Sequence, residues 1–275
     1  MVAAQQALRD KIKQAKRVVI KIGTSTLTYD NGRINLTNMD QLCRSVANLM
    51  NSGKQVVLVS SGAIGVGVGK LRLPEKPSSI RRKQAVAAVG QCELMNMYSR
   101  LMSDYSYTVG QVLLTKDDID DEQTRINIVN TFEALMEMEI IPVVNENDTV
   151  STREIYHNGT FGDNDTLSAI VAVLLEADLL IMLTDIDGLY DSDPRINPDA
   201  AFVSYVPEIT DEIEASAGAA GSQRGTGGMR SKILAARIAT VAGLDAIIAN
   251  GSVPHMIDDI ADGKNKGTMF AALRE

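Results

Sequence analysis

Two lysines stand where an isolated cation is a poor choice. Lys21 lies in "RVVIKI" (17–22), a strand-like run otherwise rich in valine and isoleucine, and Lys232 falls in the first turn of a helix-like run that opens at 229. An ammonium without a partner is costly in apolar surroundings, and a cation at a helix start opposes the helix dipole. Either each lysine escapes to water, Lys21 by snorkelling from a strand end and Lys232 as a solvated surface group, or each faces an anion. Acidic and amide groups are available. "FGDNDTLSAI" (161–170) puts Asp163, Asn164 and Asp165 together at a helix start, and "NENDT" (145–149) closes a strand. One such residue suffices to cap a helix, so both clusters exceed that need.

Two glycine-rich stretches could bring backbone N–H groups to an oxyanion. In "GAIGVGVGK" (62–70), Gly65, Gly67 and Gly69 are spaced evenly by two, so G-x-G-x-x-G fails; Ile64 and Leu71 stand where a Walker loop needs glycine and a hydroxyl. "GSQRGTGGMRSKI" (221–233) has no Gly-Lys pair and fails as well. What remains is generic: small residues ahead of a helix N-terminus, which favours anions, or simply a surface loop. "DIDGLYDSDP" (185–194) resembles a calcium loop, but its glycine is fourth rather than sixth, so it is read as a strand-end loop.

The elements that must position these residues alternate. Strands are predicted at 17–22, 55–60, 107–114, 140–145, 178–184 and 244–250. Helices are predicted at 35–53, at 78–105 with Ser78 or Ser79 as N-cap, at about 121–138, at 165–177 with Asp165 as its cap, at 229–242 with Gly243 as its stop, and near 253–262. A hairpin with Asn158-Gly159 at its turn is expected over 153–161. This rhythm implies one α/β domain over 1–275, an open three-layer αβα sandwich with a mostly parallel central sheet. Ligands of such sheets bind beyond the carboxyl ends of the strands. There the chain places Lys21 with "GTST", "SSGAIGVGVGK", "NENDT", "TDIDGLY" and "NGS".

Composition narrows the classes. The 275 residues carry a formal charge of −8, which argues against a nucleic-acid surface but leaves room for a locally basic site. Cys43 and Cys92 fall in helix-like apolar patterns and are expected to be buried thiols in a reducing compartment. With only His157 and His255, no zinc site of ordinary composition is expected. The charged N-terminus has no signal-peptide core, and no apolar run reaches the roughly 18 residues of a membrane span. The expectation is a soluble, cytoplasmic protein.

Taken in order, "VVIKIGTSTLT" (18–28), "VVLVSSGAIGVG" (56–67), "IPVVNENDTV" (141–150), "FGDNDTLSA" (161–169), "LTDIDGLYDSDP" (183–194) and "GTGGMRSKI" (225–233) resemble the amino acid kinase family over nearly the whole chain, and within it the branch that acts on glutamate. The resemblance implies phosphoryl transfer from ATP, with Mg²⁺ carried by the nucleotide rather than held by protein ligands, to the side-chain carboxylate of L-glutamate in proline synthesis. It implies Lys21, Asp165 and Lys232 as catalytic residues, the lysines flanking the phosphoryl group and Asp165 holding both. Ser61, Gly62, Asp148 and Asn164 match the glutamate positions. Lys21, Gly23, Thr184, Asp185, Thr226, Gly227, Gly228, Met229, Arg230, Ser231 and Lys232 match the nucleotide positions, with Gly23, Thr24 and Gly62 donating to the transferred phosphate. It divides the chain into a glutamate lobe of about 1–160 and a nucleotide lobe of about 161–275. It also implies a homo-oligomer (dimer or tetramer), feedback inhibition by proline near 62–82 and the loop after 115, and glutamyl phosphate reductase as a partner. Many members carry a C-terminal RNA-modification-type (PUA) domain, which is not expected here because the sequence stops at Glu275. A carboxylate nucleophile is already ionised at neutral pH, so no general base is needed. The alternatives are a sibling acting on acetylglutamate, aspartate, carbamate or a uridine nucleotide, and a non-catalytic nucleotide or oxyanion binder. Siblings usually pair glycines after the first lysine, whereas here Gly23 precedes Thr24 and Ser25.

Overall fold

β1 (Arg17–Ile22) sits inside the sheet, with β2 (Gln55–Ser60) parallel to it on one side and β5 (Leu179–Thr184) parallel on the other. A strand so placed has both faces covered, which is why its residues are apolar almost without alternation. The structure is a computed structural model that describes residues 2–29, 31–151, 164–214, 228–253 and 255–273. The hairpin expected over 153–161 and the loop residues Thr226 and Gly227 lie outside the described residues.

The remaining strands are β3 (Val109–Leu114), β4 (Ile141–Glu146), the short β6 (Leu189–Tyr190), β7 (Phe202–Val203) and β8 (Tyr205–Val206), then β9 (Asp245–Asn250) and β10 (Thr268–Phe270). The main sheet has eight strands in the order β3-β4-β2-β1-β5-β9-β10-β8, and β6 pairs with β7 separately. All pairings in the main sheet are parallel except β9 with β10. This is the expected mostly parallel sheet.

The helices are α1 (Val2–Lys13), α2 (Thr24–Leu27), α3 (Leu36–Asn51), α4 (Ala63–Leu71), α5 (Ile80–Ser103), α6 (Lys116–Asp120), α7 (Glu122–Glu137), α8 (Asn164–Leu174), α9 (Met229–Val241) and α10 (Met256–Ala261). They form two outer layers. Val18, Ile20 and Ile22 of β1 join one apolar cluster with α1, α3, α5 and α10. Val19 joins the other, with residues of α7, α8 and α9. The period-two alternation of a strand therefore aims Lys21, like Val19, at the layer holding α8 and α9.

Three expectations need correction. The stretch 62–70 leads into and forms most of a helix, α4, not a glycine loop. Gly62 turns the chain at φ 97°, in the left-handed region that suits glycine. The later glycines permit contact rather than phosphate approach: a Cβ on Gly67 would lie 2.1 Å from the Val86 carbonyl oxygen of α5, and one on Gly90 would lie 1.7 Å from that of Ala63. Second, Asp165 does not cap α8. It lies inside the first turn, fully buried, with its carboxylate turned to two lysines. Third, Cys43 is buried but Cys92 is exposed. The core-facing positions of α5 are Val86, Ala87, Gly90, Gln91, Leu94, Met97, Tyr98 and Met102, and Cys92 falls on the opposite side of the turn. Burial pushes the Cys43 thiol up to about 12, as an inert core thiol requires. Among the described residues, no helix is long and apolar enough to cross a membrane.

Candidate active site

The chain leaves β1 through α3, which packs on one face of the sheet, to reach β2 on one side; it leaves β5 to reach β9 on the other side, with α9 packed on the opposite face. Adjacent strands whose connections part in this way leave a crevice at their carboxyl ends. Lys21 is the penultimate residue of β1, and Thr184 ends β5.

Three ionic groups meet at this crevice. Lys21 Nζ lies 2.7 Å from Asp165 Oδ1, and Lys232 Nζ lies 3.1 Å from Asp165 Oδ2. The Ser231 hydroxyl donates to the same Oδ2 at 2.7 Å. All three charged residues are buried: Lys21 and Lys232 each keep 5% of their surface, and Asp165 keeps none. Burial by itself would raise the Asp165 pKa. The charges of Lys21 and Lys232, with hydrogen bonds from Lys21 and Ser231, outweigh it and hold the carboxyl down at about 2. Asp165 is therefore ionised at any physiological pH. One carboxylate serves two ammonium groups at the end of the sheet. The cation in the first turn of α9 is thereby explained: an anion from α8 faces it.

Small residues surround this cluster. Gly23 precedes α2, and a Cβ there would lie 3.8 Å from Lys21 Nζ. Gly62 abuts Thr24, with a Cβ at 62 meeting the Thr24 side chain at 3.5 Å. The loop after β1 and the N-terminus of α4 thus pack against each other, next to the lysine. Gly228 precedes α9 and supplies no side-chain cap, so among the described residues the early N–H groups of Met229, Arg230 and Ser231 have no capping side chain. Thr184 is buried and its hydroxyl donates to Asp185 Oδ1 at 3.1 Å.

A second, amide-rich cluster lies next to Asp165. Asn164 Nδ2 donates to Ser61 Oγ at 2.9 Å, to Asn145 Oδ1 at 3.0 Å and to the Ser60 carbonyl at 3.3 Å. Asn145 Nδ2 in turn donates to Gln91 Oε1 at 2.8 Å. Behind them the buried hydroxyls of Ser60 and Tyr98 are 3.0 Å apart, and burial raises the Tyr98 phenol well above its usual range. Asp148 stands half-buried on the turn after β4, where its charge adds to the rise that burial causes in the Glu146 carboxyl.

Of the residues singled out in the sequence, Lys21, Asp165, Ser231 and Lys232 are in contact through the carboxylate, and Ser61 and Asn164 are hydrogen-bonded. Neither Asn145 nor Gln91 stands out individually in the sequence. Asn145 lies in the overstocked "NENDT" run, which is a signal of sorts; Gln91 is a polar residue on the apolar face of a helix, and nothing short of the fold connects it to residue 145.

The family model described as the amino acid kinase family matches residues 16–250. The chain belongs to the amino acid kinase family. Among curated relatives, the glutamate 5-kinase of Clostridium perfringens is 57% identical over 267 residues, covering 97% of this chain and 99% of the relative. The glutamate 5-kinase of Listeria innocua is 53% identical, covering 98% and 97%. Solved structures in the family's fold include the UMP kinase of Bacillus anthracis, at TM-score 0.62 and 16% identity over 94% of this chain and 97% of that one. An isopentenyl phosphate kinase superposes at TM-score 0.64, also at 16% identity, over 93% and 100%. These structural matches bear on the fold alone.

Proposed function

We propose that the protein transfers the γ-phosphoryl group of ATP to the γ-carboxylate of L-glutamate, giving glutamyl 5-phosphate and ADP. A carboxylate oxygen forms the new P–O bond as the bond to the ADP oxygen breaks; no proton moves, so no general base is required. The main problem is electrostatic, since two anions must meet while charge shifts between them. The observation that carries the reading is the buried pair of lysines on one carboxylate. Lys21 reaches the phosphoryl group from the β1 side and Lys232 from the α9 side, each preorganised by Asp165 so that little reorganisation is needed in the transition state. The choice of glutamate rests on the similarity to the two relatives.

In this reading Ser61, Gly62, Asp148 and Asn164 hold glutamate, with Asp148 taking its ammonium group. Gly23, Thr184, Asp185 and the segment from Thr226 to Lys232 hold the nucleotide. The amino acid is then held mainly by the 1–160 part of the chain and the nucleotide mainly by the 161–275 part, with Asn164 and Gly23 reaching across. No group of three or more carboxylate, imidazole or thiolate side chains converges among the described residues, and both Asp165 oxygens face lysines. These residues do not fit a resident metal, and Mg²⁺ enters on the phosphates as part of the nucleotide substrate. Proline as inhibitor, glutamyl phosphate reductase as recipient of the labile product, and a homo-oligomeric state belong to the same proposal.

The test is to trap the acyl phosphate with hydroxylamine in the presence of ATP and each candidate acid. Glutamyl hydroxamate is expected from glutamate. Hydroxamate from aspartate or acetylglutamate but not from glutamate would sink the substrate assignment.

A further inference from the structure

The amide cluster has a polarity that one backbone group decides. The N–H of Glu146 donates to Asn145 Oδ1 at 2.9 Å, and an N–H can only meet an acceptor. The oxygen of the Asn145 carboxamide is therefore fixed at that end, and its Nδ2 must point the other way. There Gln91 Oε1 accepts it. The same Asn145 oxygen demands a donor from Asn164, so Asn164 presents Nδ2 to the cluster and keeps Oδ1 as a spare acceptor. Ser61 Oγ is already accepting from Asn164, which leaves its hydroxyl hydrogen to donate. The result is one acceptor and one donor side by side, which suits a free amino acid: an ammonium for Asn164 Oδ1 and a carboxylate for Ser61.

Gln91 holds the far end of this chain, and the protein bears a cost to keep it there. Gln91 is buried on the core-facing side of α5, and its Nε2 finds no acceptor among the described residues. A buried donor left unpaired is unfavourable, and a leucine or methionine at this helical position would avoid it. Its height is fixed by the neighbouring residue: Gly90 is the point at which α5 touches the start of α4, immediately after Gly62. Close packing at 90 thus carries Gln91 to the side of β4 where Asn145 lies.

We propose that Gln91 is a positioning residue for recognition of the amino acid substrate. It acts through Asn145, whose carboxamide it holds, together with the Glu146 N–H, in the one orientation that gives Asn164 a free oxygen and Ser61 a free hydroxyl hydrogen. The inference rests on the functional reading above, in which Ser61 and Asn164 contact glutamate. Without Gln91, Asn145 Nδ2 is buried with no acceptor, and rotation of that side chain to find one releases Asn164 to turn over.

The experiment is steady-state kinetics with hydroxylamine trapping on Gln91→Met, Gln91→Glu, Asn145→Ala and the double variant Asn145→Ala/Gln91→Met, with thermal unfolding to check that each is folded. Gln91→Met is expected to raise KM for glutamate about tenfold while kcat and KM for ATP stay within about twofold. Gln91→Glu keeps a carboxyl oxygen facing Asn145 and is expected to hold KM for glutamate within about threefold of the wild-type value. In the Asn145→Ala background Gln91→Met should add less than about twofold, because a residue that acts through another has nothing left to orient. An unchanged KM in Gln91→Met, a parallel rise in KM for ATP, or a full tenfold effect on top of Asn145→Ala would overturn the proposal. Should Gln91→Met not fold, Gln91→Glu decides: a retained glutamate KM supports the role and a tenfold rise refutes it. A wild-type chain that makes no glutamate-dependent product would overturn the functional reading itself, and this inference with it, and is recognised before any variant is compared.

Discussion

Asp165 is bound to two buried ammonium groups and a hydroxyl, so its replacement affects more than one bond. In Asp165→Asn both lysines keep their charge and lose the Asp165 carboxylate. Breaking a buried ion pair from one side typically costs about 3–5 kcal/mol, and a loss of that order is expected in chemical denaturation. The dependence on pH has a definite sign. The folded carboxyl sits near 2 and an unfolded one near 3.9, so its contribution is fully present above about pH 4 and is lost as pH falls towards 2. The Tm difference between wild type and Asp165→Asn should therefore be constant from pH 7 to 5 and narrow below about 4; a difference that widens on acidification would contradict the assigned ion pairs. Lys232→Ala tests the catalytic role. It is expected to lower kcat at least 100-fold with KM for glutamate changed less than about threefold, since the proposed interaction is with the phosphoryl group in flight. Equal loss in both parameters would mean that Lys232 contributes to ground-state binding instead.

At the scale of elements, the α4–α5 crossing is the most demanding piece of packing near the site. The carbonyl of Ala63 occupies the place of a side chain at 90, and backbone cannot step aside as the tip of a lysine can. Gly90→Ala is expected to destabilise by about 2–3 kcal/mol or to prevent folding, measured by denaturant titration. Gly53→Ala, with open space around it but a φ of 80°, should cost only about 1 kcal/mol. A smaller effect at 90 than at 53 would contradict the crossing. The same crossing marks where the sequence misleads. The rhythm of apolar runs places β1, β2, β5 and β9 to within a residue, because strands buried on both faces read as unbroken hydrophobic stretches. "GAIGVGVGK" instead reads as a loop by intrinsic propensity, since glycine weakens helices. What stabilises α4 is contact with α5, which lies beyond any local window.

In the whole molecule, Lys21, Asp165 and Lys232 come from three widely separated segments, and their meeting follows from topology. Strand alternation turns Lys21 to the α8–α9 face, and parallel strands put the ends of β1, β4 and β5 at one edge. The sequence announces this indirectly, through charged residues in places that would otherwise be apolar. It says nothing of the Gln91–Asn145 bond, because hydrogen bonds between distant buried amides leave no periodicity and no motif. In the proposed reaction an oxygen of the glutamate side chain attacks the γ-phosphorus of ATP at this lysine pair. The direct measurement uses glutamate labelled with ¹⁸O in its γ-carboxylate, ATP and hydroxylamine, with mass analysis of the released phosphate. Hydroxylamine attacks the acyl carbon, so the bridging oxygen leaves with phosphorus. Phosphate carrying one ¹⁸O per turnover is expected. Phosphate that carries none would show that water, rather than the carboxylate, had taken the phosphoryl group, and would contradict the proposed reaction.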